Sequence, residues 1–117
     1  MSYHEPWEAL AEDDRNIHRA LMSLKEEIEA VDWYHQRAVL CQDDPLRRIL
    51  VHNRDEEIEH AAMTLEWLRR RLEPFDEQLR AYLFTDRDIV ETEAEVRQPE
   101  AAGSPRGLGI GKLEGEG

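Results

Sequence analysis

Glu57 and His60 are the two residues whose types and spacing most clearly indicate chemistry. In a helix, residues three apart lie on one face, close enough to share a cation. Both belong to a stripe that a helix would turn inward, with alternating steps of four and three residues: Leu46, Leu50, Asn53, Glu57, His60, Thr64 and Trp67. Burying an ionised carboxylate without a counter-charge is costly. The stripe therefore predicts a metal site, and a salt-bridge cluster on the helix surface is the plainer alternative.

Glu27 is the residue that we expect to face this pair from the preceding helix. It lies at the margin of an apolar stripe, at offsets of three, four and seven residues from Ala20, Leu24, Val31 and Tyr34. Di-iron carboxylate bundles take a Glu from each of two helices and a Glu-x-x-His from each of the other two. One copy of this chain holds half that set, so two copies would build a two-metal centre across a twofold interface. Carboxylates and imidazole suit iron but do not exclude zinc or manganese.

The elements that must position these residues are helices. Apolar periodicity predicts a first helix from after Trp7 to about Cys41 and a second from Pro45 to about Glu73, with Asp44 as its N-cap. Pro74 is expected to end the second helix. A third helix over about 75–84 and a fourth segment over 86–96 follow. The fold class is therefore all-α: an antiparallel two-helix hairpin with a short C-terminal helix, which dimerises into a four-helix bundle because one hairpin leaves apolar faces uncovered.

Composition restricts the partners. The net charge of -12, with 36% charged residues, argues against nucleic acid and favours cations. No apolar run reaches the roughly 18 residues that a membrane helix needs, and the N-terminus lacks a signal-peptide pattern. Because the single cysteine, Cys41, excludes an intramolecular disulfide, we expect a soluble, cytoplasmic protein.

The composition changes after residue 97 to Pro, Gly, Ala, Ser and Glu. This change predicts a helical domain over residues 1–97 and a flexible tail over 98–117. The tail places large aliphatic side chains among glycines: Leu108, Ile110 and Leu113. In an extended conformation the first two project on the same side, as a docking peptide requires. We therefore predict that the tail binds a protein partner.

Two stretches resemble the encapsulated ferritins: KEEIEAVDWY at residues 25–34 and HNRDEEIEHAAMTLEWLRR at residues 52–70. The similarity covers most of the span from about residue 4 to residue 85. The resemblance implies a subunit that is half a ferritin and that dimerises into a ferritin-like four-helix bundle around a di-iron ferroxidase centre. It also implies homodecameric open rings enclosed in an encapsulin nanocompartment. His35 departs from the family pattern, which has an acidic residue there.

The resemblance also assigns roles to individual residues. It implies iron ligation by Glu27, Glu57 and His60, metal uptake past Glu26 and Glu29, positions near the centre for Trp33 and Tyr34, and a cargo-loading peptide around Leu108, Ile110 and Leu113. From the residues alone, the Glu26 and Glu29 pair could hold a weakly bound cation or be simply solvated. Tyr34 could donate a hydrogen bond to the ligand shell and so belongs to the candidate catalytic residues.

The expected function is therefore that of a ferroxidase, which oxidises Fe(II) to Fe(III) with dioxygen at an intersubunit di-iron centre. It would serve iron storage and detoxification inside an encapsulin nanocompartment. Two alternatives stay open. The first is a non-catalytic helical interaction or cargo protein, in which inward polar residues specify pairing. The second is another di-metal oxidase or peroxidase that uses the same ligands.

Overall fold

The computed structural model describes residues 3–97. The predicted tail, with Leu108, Ile110 and Leu113, lies outside the described residues. The described residues divide into two compact units, with the boundary between Leu68 and Arg69. A 3-10 turn at Trp7–Ala9 precedes four helices: α1 (Glu12–Leu40), α2 (Asp44–Arg71), α3 (Glu73–Tyr82) and α4 (Ile89–Arg97). No strand occurs in residues 3–97, which confirms the all-α class.

The first helix begins later than its periodicity predicted, because Arg15 holds the entering segment in another conformation. The Arg15 guanidinium carbon lies 3.8 Å from the centroid of the Trp7 ring. Its Nε and Nη2 donate to the Trp7 carbonyl at 3.2 and 3.1 Å. The chain therefore makes a short turn before α1 starts at Glu12. Acidic residues in the first turn complement the positive end of the helix dipole.

The N-cap of α2 is Asp43, one residue earlier than predicted. Its Oδ2 accepts a hydrogen bond from the amide of Leu46 at 3.0 Å, and its carbonyl accepts from the amide of Arg47 at 2.9 Å. Asp44 is therefore the first helical residue, and Pro45 is the second. Proline fits there because amides of the first turn have no carbonyl to bond within the helix.

Pro74 starts a helix rather than ending one, contrary to the prediction. α2 ends at Arg71, and Leu72 is extended, with φ -119° and ψ 106°. Pro74 lies in the first turn of α3, where its missing amide leaves no carbonyl unsatisfied. α3 ends at Tyr82, and Phe84 has a φ of 59°, in the left-handed region that a right-handed helix cannot include.

The predicted fourth segment is a helix, although it begins three residues late. Asp88 caps α4, since its Oδ2 accepts from the amide of Glu91 at 3.0 Å. The Asp88 carbonyl accepts from the amide and the hydroxyl of Thr92, at 3.0 and 2.8 Å. These bonds satisfy Thr92, whose side chain is buried.

α1 and α2 form the predicted antiparallel hairpin. The Thr64 hydroxyl lies 3.3 Å from a carboxylate oxygen of Glu27, and Arg54 Nη1 lies 3.1 Å from Nδ1 of His35. The contacted position in α2 falls as the position in α1 rises, so the two helices run in opposite directions. None of the described helices is long and apolar enough to cross a membrane.

The hairpin buries little of its apolar surface. Among the described residues, Ala38 and Leu68 are the only apolar residues that are buried. Leu46, which we predicted to point inward, is 47% exposed, and Ile28 of α1 is 56% exposed. The periodic stripe is thus wider than the area that one neighbouring helix covers.

Candidate metal centre

The α2 side of the site consists of Glu57 and His60. The i,i+3 spacing brings Nδ1 of His60 to 3.7 Å from Oε1 of Glu57, with 27% of the Glu57 side chain and 42% of the His60 side chain exposed. The other imidazole nitrogen, Nε2, lies 3.8 Å from Oε1 of Glu56. Both distances exceed hydrogen-bonding range. The imidazole is thus flanked by two carboxylates, a negatively charged setting that attracts cations.

Glu56 is a residue that sequence reasoning missed. Besides its contact with His60, its Oε2 lies 3.8 Å from Nε2 of His52. The available signal was its spacing, since Glu56 is four residues from each histidine. The side chain is 48% exposed, so it stands at the rim of the site.

The α1 side of the site is Glu27. Its Oε2 accepts a hydrogen bond from the hydroxyl of Thr64 at 3.3 Å. Its Oε1 is buried and has no hydrogen-bond partner among residues 3–97. Thr64 is one helical turn beyond His60, so Glu27 approaches the turn of α2 that follows the Glu57 and His60 pair. A buried carboxylate oxygen without a donor is costly and requires a cation or a donor from elsewhere.

The donor types fit iron. Two carboxylates and one imidazole are oxygen and nitrogen ligands of the kind that bind Fe(II) and Fe(III). Within the part of one chain that the structure describes, no three His, Cys, Asp or Glu side chains are close enough together to hold a metal. The structure therefore pairs Glu57 with His60 and brings Glu27 to the adjoining turn, but does not gather the three around one point.

The other predicted residues lie along α1. Glu26 and Glu29 are exposed, so a cation can reach both from solvent. Trp33 is 52% exposed. Tyr34 is half-buried, and the Arg37 guanidinium carbon lies 5.3 Å from the centroid of its ring.

His35, which stands where the family resemblance led us to expect an acidic residue, links the two helices. Nη1 of Arg54 lies 3.1 Å from its Nδ1. Arg54 also bonds Oδ1 of Asp55 through Nε at 3.1 Å. The guanidinium therefore bridges α1 and a carboxylate of α2. His35 contributes to the hairpin rather than to the ligand set.

The fold and the donors define a class: an all-helical chain that presents carboxylates and an imidazole from two antiparallel helices, as ferritin-like proteins do. Residues 2–86 match the EncFtn-like family, and the chain belongs to that family. This membership confirms the resemblance that the motifs of α1 and α2 indicated.

Individual relatives agree with the family. Over 93 residues the chain is 63% identical to the "Ferritin-like protein" of Thermotoga maritima, covering 80% of this chain and 82% of the relative. Over 125 residues it is 50% identical to the "Encapsulated ferritin-like protein" of Rhodospirillum rubrum, covering 98% of this chain and 89% of the relative. The crystal structure of protein ne0167 from Nitrosomonas europaea matches with a TM-score of 0.74 and 54% identity, over 76% of this chain and 98% of that one.

Proposed function

We propose that this protein is a ferroxidase, which oxidises Fe(II) to Fe(III) with dioxygen at a di-iron centre shared by two copies of the chain. The observation that carries the proposal is the buried, unpartnered Oε1 of Glu27 beside the turn that follows Glu57 and His60. Such an oxygen is suited to a cation. Membership of the EncFtn-like family supports an iron-related role.

Two copies would supply the ligands of a complete centre. Each contributes Glu27 from α1 and the Glu57 and His60 pair from α2, which together match the two Glu and two Glu-x-x-His sets of di-iron carboxylate bundles. The exposed apolar surface supports the same pairing, since Ile28 and Ile58 are 56% and 49% exposed in one chain. A second hairpin would cover such side chains and complete a ferritin-like four-helix bundle. Further assembly into a homodecameric ring rests on the family resemblance.

Iron is the substrate in this reaction. Two ferrous ions each lose one electron, and the two electrons with two protons from solvent convert one dioxygen to hydrogen peroxide. The carboxylates of Glu27 and Glu57 offset the positive charge that grows as each ion becomes ferric, and His60 supplies a neutral nitrogen donor. Glu26 and Glu29 would concentrate ferrous ions at the exposed side of α1. Tyr34 would donate a hydrogen bond within the site.

The test is an anaerobic Fe(II) titration of the purified protein, followed by an air pulse, with the oligomer size measured alongside. We expect about one iron per chain, as two copies sharing two ions require, and fast oxidation only in the associated form. Glu57→Ala or His60→Ala should slow oxidation on the order of 100-fold through loss of a ligand. Glu59→Ala is the matched control, because Glu59 is exposed on the same helix and carries the same charge.

Three results would contradict the proposal. If the parent binds no iron, the helical interaction protein becomes the better interpretation. If Glu57→Ala oxidises iron as fast as the parent, the ligand assignment is wrong. If the protein consumes hydrogen peroxide much faster than dioxygen, the centre belongs to a peroxidase instead.

We further propose that the protein is a cargo of a cytoplasmic encapsulin nanocompartment, where it would serve iron storage and detoxification. The name of the Rhodospirillum rubrum relative describes that protein as encapsulated, and the similarity extends over 98% of this chain. The proposed cargo-loading residues are the three aliphatics of the tail: Leu108, Ile110 and Leu113. The alternation of Leu108 and Ile110 with glycines suits an extended peptide that docks on another protein.

Removing residues 99–117 should abolish co-purification with a co-expressed encapsulin and leave iron oxidation unchanged. A full-length variant with the three aliphatics replaced by serine keeps the tail's length and charge, so it tests the side chains alone. Packaging that survives in both variants would refute the cargo-loading role while leaving the ferroxidase proposal intact.

A further inference from the structure

Thr64 connects the two helices that carry the proposed ligands. Its Oγ1 lies 3.3 Å from Oε2 of Glu27 on α1. The same oxygen lies 3.1 Å from the carbonyl oxygen of His60, one turn earlier on α2. The hydroxyl is part-buried, so water competes with these contacts less than it would at the surface.

One hydroxyl hydrogen has two candidate acceptors, and the chemistry favours the carboxylate. The His60 carbonyl is in the middle of α2, where it already accepts the amide of Thr64 in the i to i+4 pattern of the helix. A carboxylate also accepts a stronger hydrogen bond than a neutral carbonyl does. The Thr64 hydroxyl therefore donates its hydrogen to Glu27 in preference to the His60 carbonyl.

The two oxygens of Glu27 differ as a result. Oε2 has the Thr64 hydroxyl, whereas Oε1 is buried without a hydrogen-bond partner in residues 3–97. A carboxylate that is held at one oxygen loses much of its freedom to rotate. The remaining oxygen is then held in one direction before any ion binds.

We propose that Thr64 is a positioning residue of the iron centre, which holds Oε2 of Glu27 so that Oε1 is presented to a ferrous ion. This inference rests on the proposed function and deepens it. Thr64 itself does not touch iron. It acts by fixing the orientation of Glu27, a role that hydrogen bonds to metal ligands commonly have.

Three substitutions of Thr64 distinguish the effect of its hydroxyl from the effect of its side-chain shape. Thr64→Val replaces the hydroxyl by a methyl group at nearly constant volume. Thr64→Ala and Thr64→Ser differ from each other only by the hydroxyl. We expect Val and Ala to weaken anaerobic Fe(II) binding about tenfold, and Ser to bind as the parent does. If the Val variant fails to fold, the Ala and Ser pair still makes the comparison.

Cobalt(II) gives a readout that does not depend on oxidation. The visible absorption bands of bound Co(II) report the arrangement of its ligands, so Val and Ala should shift them and Ser should restore the parent spectrum. A merely structural role of Thr64 would alter thermal unfolding in all three variants without this pattern. Oligomer size and thermal unfolding are therefore measured for each variant.

The outcomes distinguish this inference from the function on which it rests. Equal Fe(II) affinity and identical Co(II) spectra for the parent, Val and Ala variants would overturn the role of Thr64. If Glu57→Ala loses Fe(II) binding in the same experiments, the proposed iron centre would still stand. A parent protein that binds neither Fe(II) nor Co(II) would overturn both. Weaker binding in Val and Ala, restored by Ser, would support both.

Discussion

Two carboxylates, Asp76 in α3 and Glu27 in α1, are both largely shielded from solvent but differ in their hydrogen bonds. The Asp76 side chain is 28% exposed, and both of its oxygens accept from Nε of Arg80, at 2.9 and 3.0 Å. Arg69 donates to the same carboxylate. Glu27 has one neutral hydroxyl at one oxygen and no donor from residues 3–97 at the other.

The difference teaches that burial alone does not identify a metal ligand. Burial raises the pKa of Asp76, but the hydrogen bonds and charges of Arg80 and Arg69 outweigh it and hold the pKa below its ordinary value of 3.8. The counter-charge of Asp76 thus comes from its own chain, which gives it a structural role. Glu27 receives no such counter-charge in the described contacts, and a cation can supply it.

Neutralising each carboxylate in turn is the strongest test of whether Glu27 and Asp76 have different roles. Glu27→Gln and Asp76→Asn are the same chemical change, since each replaces a carboxylate oxygen with an amide group. We expect the first to weaken anaerobic Fe(II) binding on the order of 100-fold, because an amide is a much poorer ligand. The second should leave iron binding unchanged. A comparable loss in both would show that the hydrogen bonds of a carboxylate do not distinguish its role.

The structural role of Asp76 predicts that its contribution to stability depends on pH. The folded-state pKa of Asp76 is lowered, so its interactions stabilise the protein above the unfolded pKa and are lost as pH falls through the folded one. Asp76→Asn should therefore lower the free energy of unfolding by only about 1 kcal/mol at neutral pH, because Arg80 is 71% exposed and solvent screens its charge.

Urea unfolding at a series of pH values measures this effect. The curves of the parent and Asp76→Asn should approach each other as the pH falls below the ordinary pKa of 3.8, and should converge below the lowered folded-state pKa, where the native carboxylate becomes protonated. Glu77→Gln is the matched control, because Glu77 is an exposed carboxylate on the same helix. A difference between parent and Asp76→Asn that persisted unchanged into acid would exclude the charge as its cause.

Much of the fold follows from local patterns in the sequence. The periodicity of α1 and α2 predicted both helices and their antiparallel pairing. The boundaries were harder, since Asp43 and Asp44 are adjacent residues that can both cap a helix, and only the bond to the Leu46 amide decides between them. Pro74 is compatible with the end of one helix or the first turn of the next.

Some contacts of the candidate site could likewise be predicted from the sequence, and others could not. The contact between Glu57 and His60 follows from their spacing on one helix, so the sequence could predict it. The bond from Thr64 to Glu27 depends on the rotation and register of two helices, which no local pattern specifies. The pairing of Arg69 with Asp76 spans the break at Leu72 and was equally inaccessible.

Glu26 and Glu29 extend the comparison to a third kind of carboxylate, one that is exposed to water. Their charges are solvated, so they need no counter-ion for stability and act on iron only through the local field. Glu26→Ala with Glu29→Ala should slow iron uptake about twofold at low ionic strength, and added salt should abolish the difference. The effect is the smallest that we predict.

Stopped-flow oxidation at several salt concentrations measures that rate, and equilibrium titration measures the affinity. Glu77→Ala with Glu91→Ala is the control, because it removes the same net charge at exposed positions of α3 and α4. If the Glu26 and Glu29 variant loses equilibrium affinity rather than rate, these residues bind iron directly. Exposed carboxylates of α1 would then also be iron ligands, and burial, as at Glu27, would not be what separates a ligand from a charge that only attracts the ion.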